Sequence, residues 1–493
     1  MSDVNKKKIV IVGAGPAGLT AGIELLKTNN YAVTIIEKDT VVGGLAKTTE
    51  YKGCRFDIGP HHFVTESEKI EAWWKDLMQG DFIKLKRYTR IYYNKHFFHY
   101  PLDPINVIRG LNIFECARSV LSYIWYRIFP IKEIKSFQDW VTNKFGYRLF
   151  SIFFKTYTEK VWGISCDKIS ADWSAQRIKG FSLSKAIFYA FFGRWFKKNA
   201  PRTINDAFYY PSRGSGTLWE KAAQVITTDK DSEIYLSEDV VSIEHDGEHT
   251  GEHDGNKITA IITKKTGAQH ASQALKTYNA DYYFSTMPLR TLILSLDPVA
   301  PDPVIEAAKA LRYRGLITVN LIINKTHICP DHWLYIHEKE VRMGRIGNMN
   351  NFSLKMVDDP SHTALSLEYF TFVDEPFWFK SDYELIELGK KELERIGLVK
   401  AAAVLDGMVM RTPEAYPIYD ERYKEYLGVV LSYLSGFSNL FLMGRNGLHR
   451  YNNMDIAMLS AMEAFEKMQE HDKKQGGTQR KQPESSAEKT ITI

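Results

Sequence analysis

Six residues near the start of the chain, Gly13-Ala14-Gly15-Pro16-Ala17-Gly18, have the composition of a turn that holds an anion. They follow the β-branched run Ile9-Val10-Ile11-Val12, which reads as a buried parallel strand, and they open a helical pattern ending near Lys27. Gly13 permits the tight turn, Gly15 lets backbone approach a pyrophosphate, and Gly18 lets the helix pack on the strand. The first helical turn has unpaired N–H groups and a dipole that favours negative charge, so the pyrophosphate belongs there. Glu37 stands nineteen residues beyond Gly18, at the end of the next strand pattern, Ala32 to Glu37. A carboxylate at that place accepts from ribose hydroxyls and repels a 2′-phosphate. The spacing predicts a dinucleotide other than NADP.

Two further glycine units separate FAD from NAD. Val42-Gly43-Gly44-Leu45-Ala46 resembles the second glycine motif of the glutathione-reductase-type flavoproteins, whose backbone passes close to the ribityl–pyrophosphate chain. Leu442-Met443-Gly444-Arg445-Asn446-Gly447 follows a strand pattern and precedes a helix that begins near Asn453 and runs through Ala457, Ala461 and Ala464. In that superfamily such a unit returns to the FAD and aims its helix N-terminus at the isoalloxazine. The cofactor set expected is therefore Gly13, Gly15, Gly18, Glu37, Gly43, Gly44, Leu45, Gly444, Arg445, Asn453 and Met454, with FAD as ligand. The two ends of the chain meet at one cofactor, so the middle is inserted between them.

From Ile9 to about Glu463 a series of blocks, in order, resembles the UDP-galactopyranose mutase family, most of all its eukaryotic-type members. These are Asp57-Ile58-Gly59-Pro60-His61, Tyr100-Pro101, Tyr157-Thr158-Glu159-Lys160-Val161-Trp162, Gln176-Arg177 and Tyr210-Pro211-Ser212-Arg213-Gly214-Ser215-Gly216. Trp333-Leu334-Tyr335, Arg345 six residues before Asn351, Ala415-Tyr416-Pro417 and Arg450-Tyr451-Asn452-Asn453-Met454-Asp455 complete the set. The resemblance implies that Arg177 and Arg345 clamp a sugar-nucleotide diphosphate, as paired guanidiniums can and lysines cannot. It implies that Tyr335, Tyr416 and Tyr451 donate hydroxyls to that diphosphate. Trp162, Asn205 and His61 would line the sugar and flavin, with Tyr100, Asp103, Phe153 and Thr158 completing the substrate site. By the same resemblance Arg177, Arg345 and His61 carry the catalysis. N5 of reduced FAD attacks the anomeric carbon, and the sugar interconverts between pyranose and furanose without net redox. NAD(P)H is the candidate external reductant.

The chain departs from that family at Leu102-Asp103, where the eukaryotic pattern has an aromatic and a glutamine, and at Thr158, where it has an asparagine. A carboxylate accepts paired hydrogen bonds from a guanine edge, whereas uracil presents mostly acceptors, so base and sugar stay open. Two other readings share the glycine units. One is an oxidase or desaturase of the protoporphyrinogen oxidase and amine oxidase group, which needs no diphosphate clamp. The other is a flavin-binding scaffold without catalysis.

These residues must be positioned by more than one packed unit, since 493 residues exceed the size of a single core. The expected architecture is α/β: a Rossmann-like FAD-binding domain, an inserted helical domain and a second, substrate-binding antiparallel sheet. The boundaries read as 1–90, 206–295 and 421–470 for the cofactor domain, 91–205 for the helical insertion and 296–420 for the substrate sheet. Residues 471–493, rich in Gln, Lys, Ser and Gly, read as a disordered tail. Tyr88 to Tyr100 alternates like a hairpin with Asn94-Lys95 at its turn.

A net charge of +5 over 64 basic and 59 acidic residues is too balanced for a nucleic-acid partner. Cys54, Cys116, Cys166 and Cys329 lie far apart, which suits a reducing, cytoplasmic setting and supports neither a zinc site nor disulfides. Glycines punctuate the apolar run after Lys6-Lys7-Lys8, so it predicts a turn and not a cleaved signal. No stretch reaches the roughly 18 apolar residues of a membrane span. Val120 to Ile131 and Ala186 to Phe196 come nearest but are short and broken. The second, ending in Lys197-Lys198, reads as a buried or crevice-lining helix with snorkelling basic ends in preference to an interfacial one. A homo-oligomer is left open.

Overall fold

Alternate residues of the run Ile9 to Val12 enter different cores. Ile9 and Ile11 pack into one cluster with Leu19, Trp219 and Met458, while Val10 and Val12 pack into another with Leu289, Leu296 and Val430. Burial on both faces is why the run is continuously apolar. The computed structural model describes residues 6–100, 102–171, 207–247, 255–266 and 275–479. Arg177, Asn205 and the stretch Ala186 to Phe196 lie outside them.

The strand Lys7–Val12 is central in a five-stranded parallel sheet. Tyr31–Ile36 and then Glu233–Tyr235 flank it on one side, Tyr282–Ser285 and then Leu440–Leu442 on the other. Strands from both ends and the middle of the chain thus share one sheet, as a split Rossmann-like domain requires. The helices Pro16–Leu26 and Met454–Gln479 cover one face together with Gly216–Thr228. A four-stranded sheet built on Glu238–His245 and Ile258–Lys265 adjoins the other.

A seven-stranded sheet forms the second unit, in the order Val404–Pro417, Tyr313–Ile323, Thr363–Thr371, Arg345–Asn348, Trp333–Ile336, Thr89–Tyr93, His96–His99. Its pairs are antiparallel except one, Trp333–Ile336 beside Thr89–Tyr93, which is parallel. The expected hairpin is formed, with Asn94 and Lys95 at positive φ, but it extends this sheet across the sequence boundary expected at residue 90. Parallel pairing is open to strands far apart in the chain, and local patterning carries no signal of it.

Against the seven-stranded sheet and one another pack the helices Pro104–Gly110, Ile113–Ile128, Phe137–Phe145 and Thr156–Trp162, the last preceded by a π-helical turn, Ser151–Lys155. The tail is corrected in part: residues expected to be disordered from His471 continue the last helix to Gln479. Asp472 accepts from the Tyr282 hydroxyl at 2.5 Å and pairs with Lys7, contacts across the fold that a polar composition does not reveal. Among the described residues no helix is long and apolar enough to cross a membrane.

Candidate functional site

The glycine turn is built as its spacing predicts. Gly13 has φ +102°, and a Cβ there would lie 2.0 Å from the Thr286 hydroxyl; one on Gly18 would lie 1.9 Å from the Gly13 carbonyl. Gly15 begins the first helix with no side-chain cap. Gly44 crosses it so closely that a Cβ on Gly44 would sit 3.1 Å from the Gly15 Cα, and the Gly43 N–H donates to the Ala14 carbonyl at 2.8 Å. Two backbones meeting without side chains leave the helix N-terminus open to an anion.

The cavity in front of it is about 470 Å³ and is lined by Gly13, Gly15, Glu37, Gly44, Leu45, His61, Gly444, Arg445, Asn453 and Met454. Gly18 and Gly43 shape its wall from behind. That volume lies within the range of small-molecule and cofactor pockets. Glu37 is buried and accepts from the Ala14 N–H at 2.7 Å and the Asp39 N–H at 2.9 Å. A carboxylate has about four lone-pair sites, so acceptor capacity remains for a ribose. In the same lining the side-chain amide of Asn452 is buried with neither its oxygen nor its nitrogen hydrogen-bonded. Such a group costs stability unless a bound polar ligand satisfies it. These residues fit an elongated dinucleotide, its anionic centre on the helix and a polar ring system near Asn452.

Beyond His61 the wall is shared with a second cluster. The loop after the strand Cys54–Asp57 turns at Gly59, with φ +82°; a Cβ there would stand 3.4 Å from both Arg345 Nη2 and Glu368 Oε2. Tyr335, Arg345 and Glu368 are cross-strand partners on three neighbouring strands of the seven-stranded sheet, so they share one face. Arg345 Nε donates to Glu368 Oε1 at 2.6 Å, and its Nη2 donates to Glu368 Oε2. Arg345 was expected to clamp a diphosphate together with Arg177, and here it meets a protein carboxylate as well. One edge is committed to Glu368, leaving the N–H groups of the other edge. Burial works against the Arg345 charge, but the Glu368 carboxylate outweighs it and holds the guanidinium's pKa well above its ordinary value.

Aromatic hydroxyls surround that pair. Tyr157 meets Tyr335 edge-on at 5.2 Å and stacks on His337 at 5.1 Å. Tyr416 and Tyr451 stack at 5.6 Å, and Trp162 meets both edge-on. Arg445 lies over the same two tyrosines, while its N–H groups donate to the carbonyls of Ala415 and Asn452. Burial pushes the Tyr416 phenol up to about 12 and the Tyr157 phenol well above its usual range, with Arg345 opposing in both. Both therefore stay protonated as donors at neutral pH. His61 is held down to about 3, first by burial and then by the Arg445 and Arg345 charges, so it is neutral there and acts as a hydrogen-bonding group and not as an imidazolium acid.

Other expected substrate residues fall in different settings. Tyr100 is exposed, its ring 5.2 Å from that of Tyr335. Thr158 is buried on the Thr156–Trp162 helix. Phe153 packs in a core with Phe98 and Ile91. Asp103, expected to read a base, caps the Pro104–Gly110 helix, accepting from the N–H groups of Ile105 at 2.8 Å and Asn106 at 3.1 Å. The sequence patterns assign no role to Glu368, Tyr157 or Asn452, or to Val240 and Thr286, which line the cavity. Glu368 carried one signal: a lone carboxylate in the apolar strand Thr363–Thr371 needs a buried cation.

Residues 11–77 match the family described as NAD(P)-binding Rossmann-like domain. A 1-hydroxycarotenoid 3,4-desaturase from Flavobacterium sp. (strain P99-3) is 32% identical over 122 residues, 24% of this chain and 25% of that one. A protein named probable UDP-galactopyranose mutase from Klebsiella pneumoniae is 27% identical over 178 residues, 34% of this chain and 44% of that one. The chain thus aligns with less than half the length of either relative. A solved structure of reduced UDP-galactopyranose mutase superposes with a TM-score of 0.78 over 94% of both chains at 19% identity, a likeness of fold.

Proposed function

We propose that this chain is an FAD-dependent nucleotide-sugar pyranose/furanose mutase. The observation that carries the reading is the Tyr335–Arg345–Glu368 face with Tyr157, Tyr416 and Tyr451 around it, beyond the His61 end of the cofactor cavity. A part-compensated guanidinium among protonated phenols suits an oxyanion such as a diphosphate and is a costly lining for an apolar polyene. The fold likeness and the partial identity to a mutase point the same way.

Held in its reduced form, the flavin would supply a nucleophilic nitrogen toward the anomeric carbon. The free edge of Arg345 would bind the diphosphate and stabilise the charge that grows on it as the sugar departs, with Arg177 as its partner. Tyr335, Tyr416 and Tyr451 would donate to the same oxygens. Trp162 would exclude water, and neutral His61 would separate flavin from sugar without adding charge. Dithionite-reduced protein, incubated with a panel of nucleotide sugars, is expected to yield furanose products by chromatography with the flavin still reduced.

The local identity to a desaturase favours a second reading, an FAD-dependent oxidoreductase. Turnover by the oxidised protein, with no furanose from any nucleotide sugar when reduced, would decide for it.

A further inference from the structure

The helix Ile113–Ile128 is amphipathic with its polarity reversed. Ile113, Phe114, Val120, Leu121, Trp125 and Ile128 recur at helical spacing, and that stripe faces solvent: Phe114 is 78% exposed, Leu121 67% and Trp125 59%. The opposite side, which packs on the protein, carries Glu115, Cys116, Ser119, Ser122, Tyr123 and Tyr126. Ser119 is buried, Ser122 accepts from the Arg148 N–H at 3.1 Å, and Glu115 pairs with Arg148. The fit there is tight, since a Cβ on Gly146 would stand 2.7 Å from the Tyr123 nitrogen. The helix cannot roll to bury its stripe without pulling Glu115 from Arg148 and driving Trp125 and Leu121 into that close contact. Six large apolar side chains exposed along one helical stripe are more than singly scattered surface apolarity, and such a run suits an interaction face.

Charge selects the occupant. Both acids on this helix and the loop after it are spent in ion pairs, Glu115 with Arg118 and Arg148, and Glu133 with Lys135. Arg109, Arg127 and Lys132 are exposed around the stripe, and no carboxylate among the described residues lies within ion-pair distance of them. Two copies meeting through this face would oppose these cations, whereas an anionic lipid surface complements them. Sixteen residues make a helix of about 24 Å, which lies in an interface and does not span a bilayer. We infer that the Ile113–Ile128 helix seats this protein on the surface of an anionic membrane, with Phe114, Leu121 and Trp125 entering the acyl boundary and Arg109, Arg127 and Lys132 at the headgroups.

Flotation of the purified full-length protein with vesicles tests this, independently of the reaction catalysed. Wild type should float with phosphatidylcholine–phosphatidylglycerol vesicles and much less with phosphatidylcholine alone. Leu121→Glu/Trp125→Glu should bind the mixed vesicles at least about 10-fold more weakly. Both changes are at exposed positions, and an unaltered circular dichroism melt would certify the fold. Arg127→Gln/Lys132→Gln should weaken binding to mixed vesicles, with the remainder insensitive to salt. Equal flotation of wild type and Leu121→Glu/Trp125→Glu overturns the inference. So does a wild type that floats on neither vesicle, and if its sedimentation then shows an oligomer that the same variant dissociates, the face belongs to a second copy.

Discussion

The cofactor cavity and the Arg345 face lie side by side but are made of different material. The cavity is a backbone device: Gly13, Gly15, Gly18, Gly43 and Gly44 contribute the absence of side chains, and what remains is a helix N-terminus and two close-passing loops. The Arg345 face is a side-chain device, in which a register across three strands brings Tyr335, Arg345 and Glu368 together and the Glu368 carboxylate sustains the buried Arg345 charge. A backbone site should fail through sterics, whatever the chemistry of the replacement. A side-chain site should fail through unpaired charge, and removing the partner as well should repair its stability but not its function.

The largest effect is therefore expected at Arg345. Arg345→Ala leaves Glu368 buried and uncompensated, costing about 3–5 kcal/mol in denaturant unfolding, and should lower turnover at least about 100-fold while FAD stays bound. Arg345→Met/Glu368→Leu should recover most of the stability and none of the turnover. If the double replacement is as unstable as the single, the pair is not the organising contact. Unchanged affinity of Arg345→Ala for nucleoside diphosphates would remove this residue from the proposed substrate site.

Next comes the backbone device. Gly18→Ala forces a methyl into the Gly13 carbonyl and should cost about 3 kcal/mol together with cofactor retention, read from flavin absorbance after gel filtration. Gly428→Ala, in the helix Tyr423–Leu434 with nothing near the added atom, should instead stabilise by about 0.5–1 kcal/mol. A Gly18→Ala protein that keeps its flavin would break the contrast.

Acid should act on the side-chain region. Burial first of all holds His61 and His337 down to about 3, and His62 to about 4. A depressed pKa contributes stability that is present above the unfolded value near 6.5 and is lost as pH falls toward the folded one. Asp57 runs the other way. Burial raises it to about 6, so its contribution is present below about pH 4 and lost as pH rises through 6. Replacing His337 by Phe keeps a ring against Tyr157 and should remove roughly 3 kcal/mol of the stability lost between pH 6.5 and 4. Urea midpoints across that range check it, and an unchanged slope counts against a neutral buried His337.

The smallest effect separates two uses of Asp103. As a helix cap, Asp103→Ala should cost about 1 kcal/mol and Asp103→Ser should restore it. A change in nucleotide preference that persists in Asp103→Ser would show that the carboxylate also reads the base.

The cofactor unit was legible because its signals are local. Strand, glycine turn, helix and Glu37 fall within one short stretch, and backbone needing φ near +102° at Gly13 writes itself into residue type. Tyr335, Arg345, Tyr416 and Tyr451 were reached through the order of their blocks, each carrying a piece of chain that resembles a known pattern. Glu368 was not legible, since its role exists only where Thr363–Thr371 lies beside Arg345–Asn348 in one register. The hairpin at Asn94-Lys95 was plain in the alternation of its residues, but its parallel place beside Trp333–Ile336 joins positions over two hundred residues apart. Helix Ile113–Ile128 shows the limit most clearly. By itself the sequence determines that one stripe is apolar and the other mixed, with Glu115, Ser119 and Ser122 on it; only tertiary packing, through Glu115, Ser122 and Gly146, decided which stripe the protein buries. Propensity and periodicity act through neighbours in the chain, whereas that choice is set by an ion pair and a close backbone contact with residues more than twenty positions away.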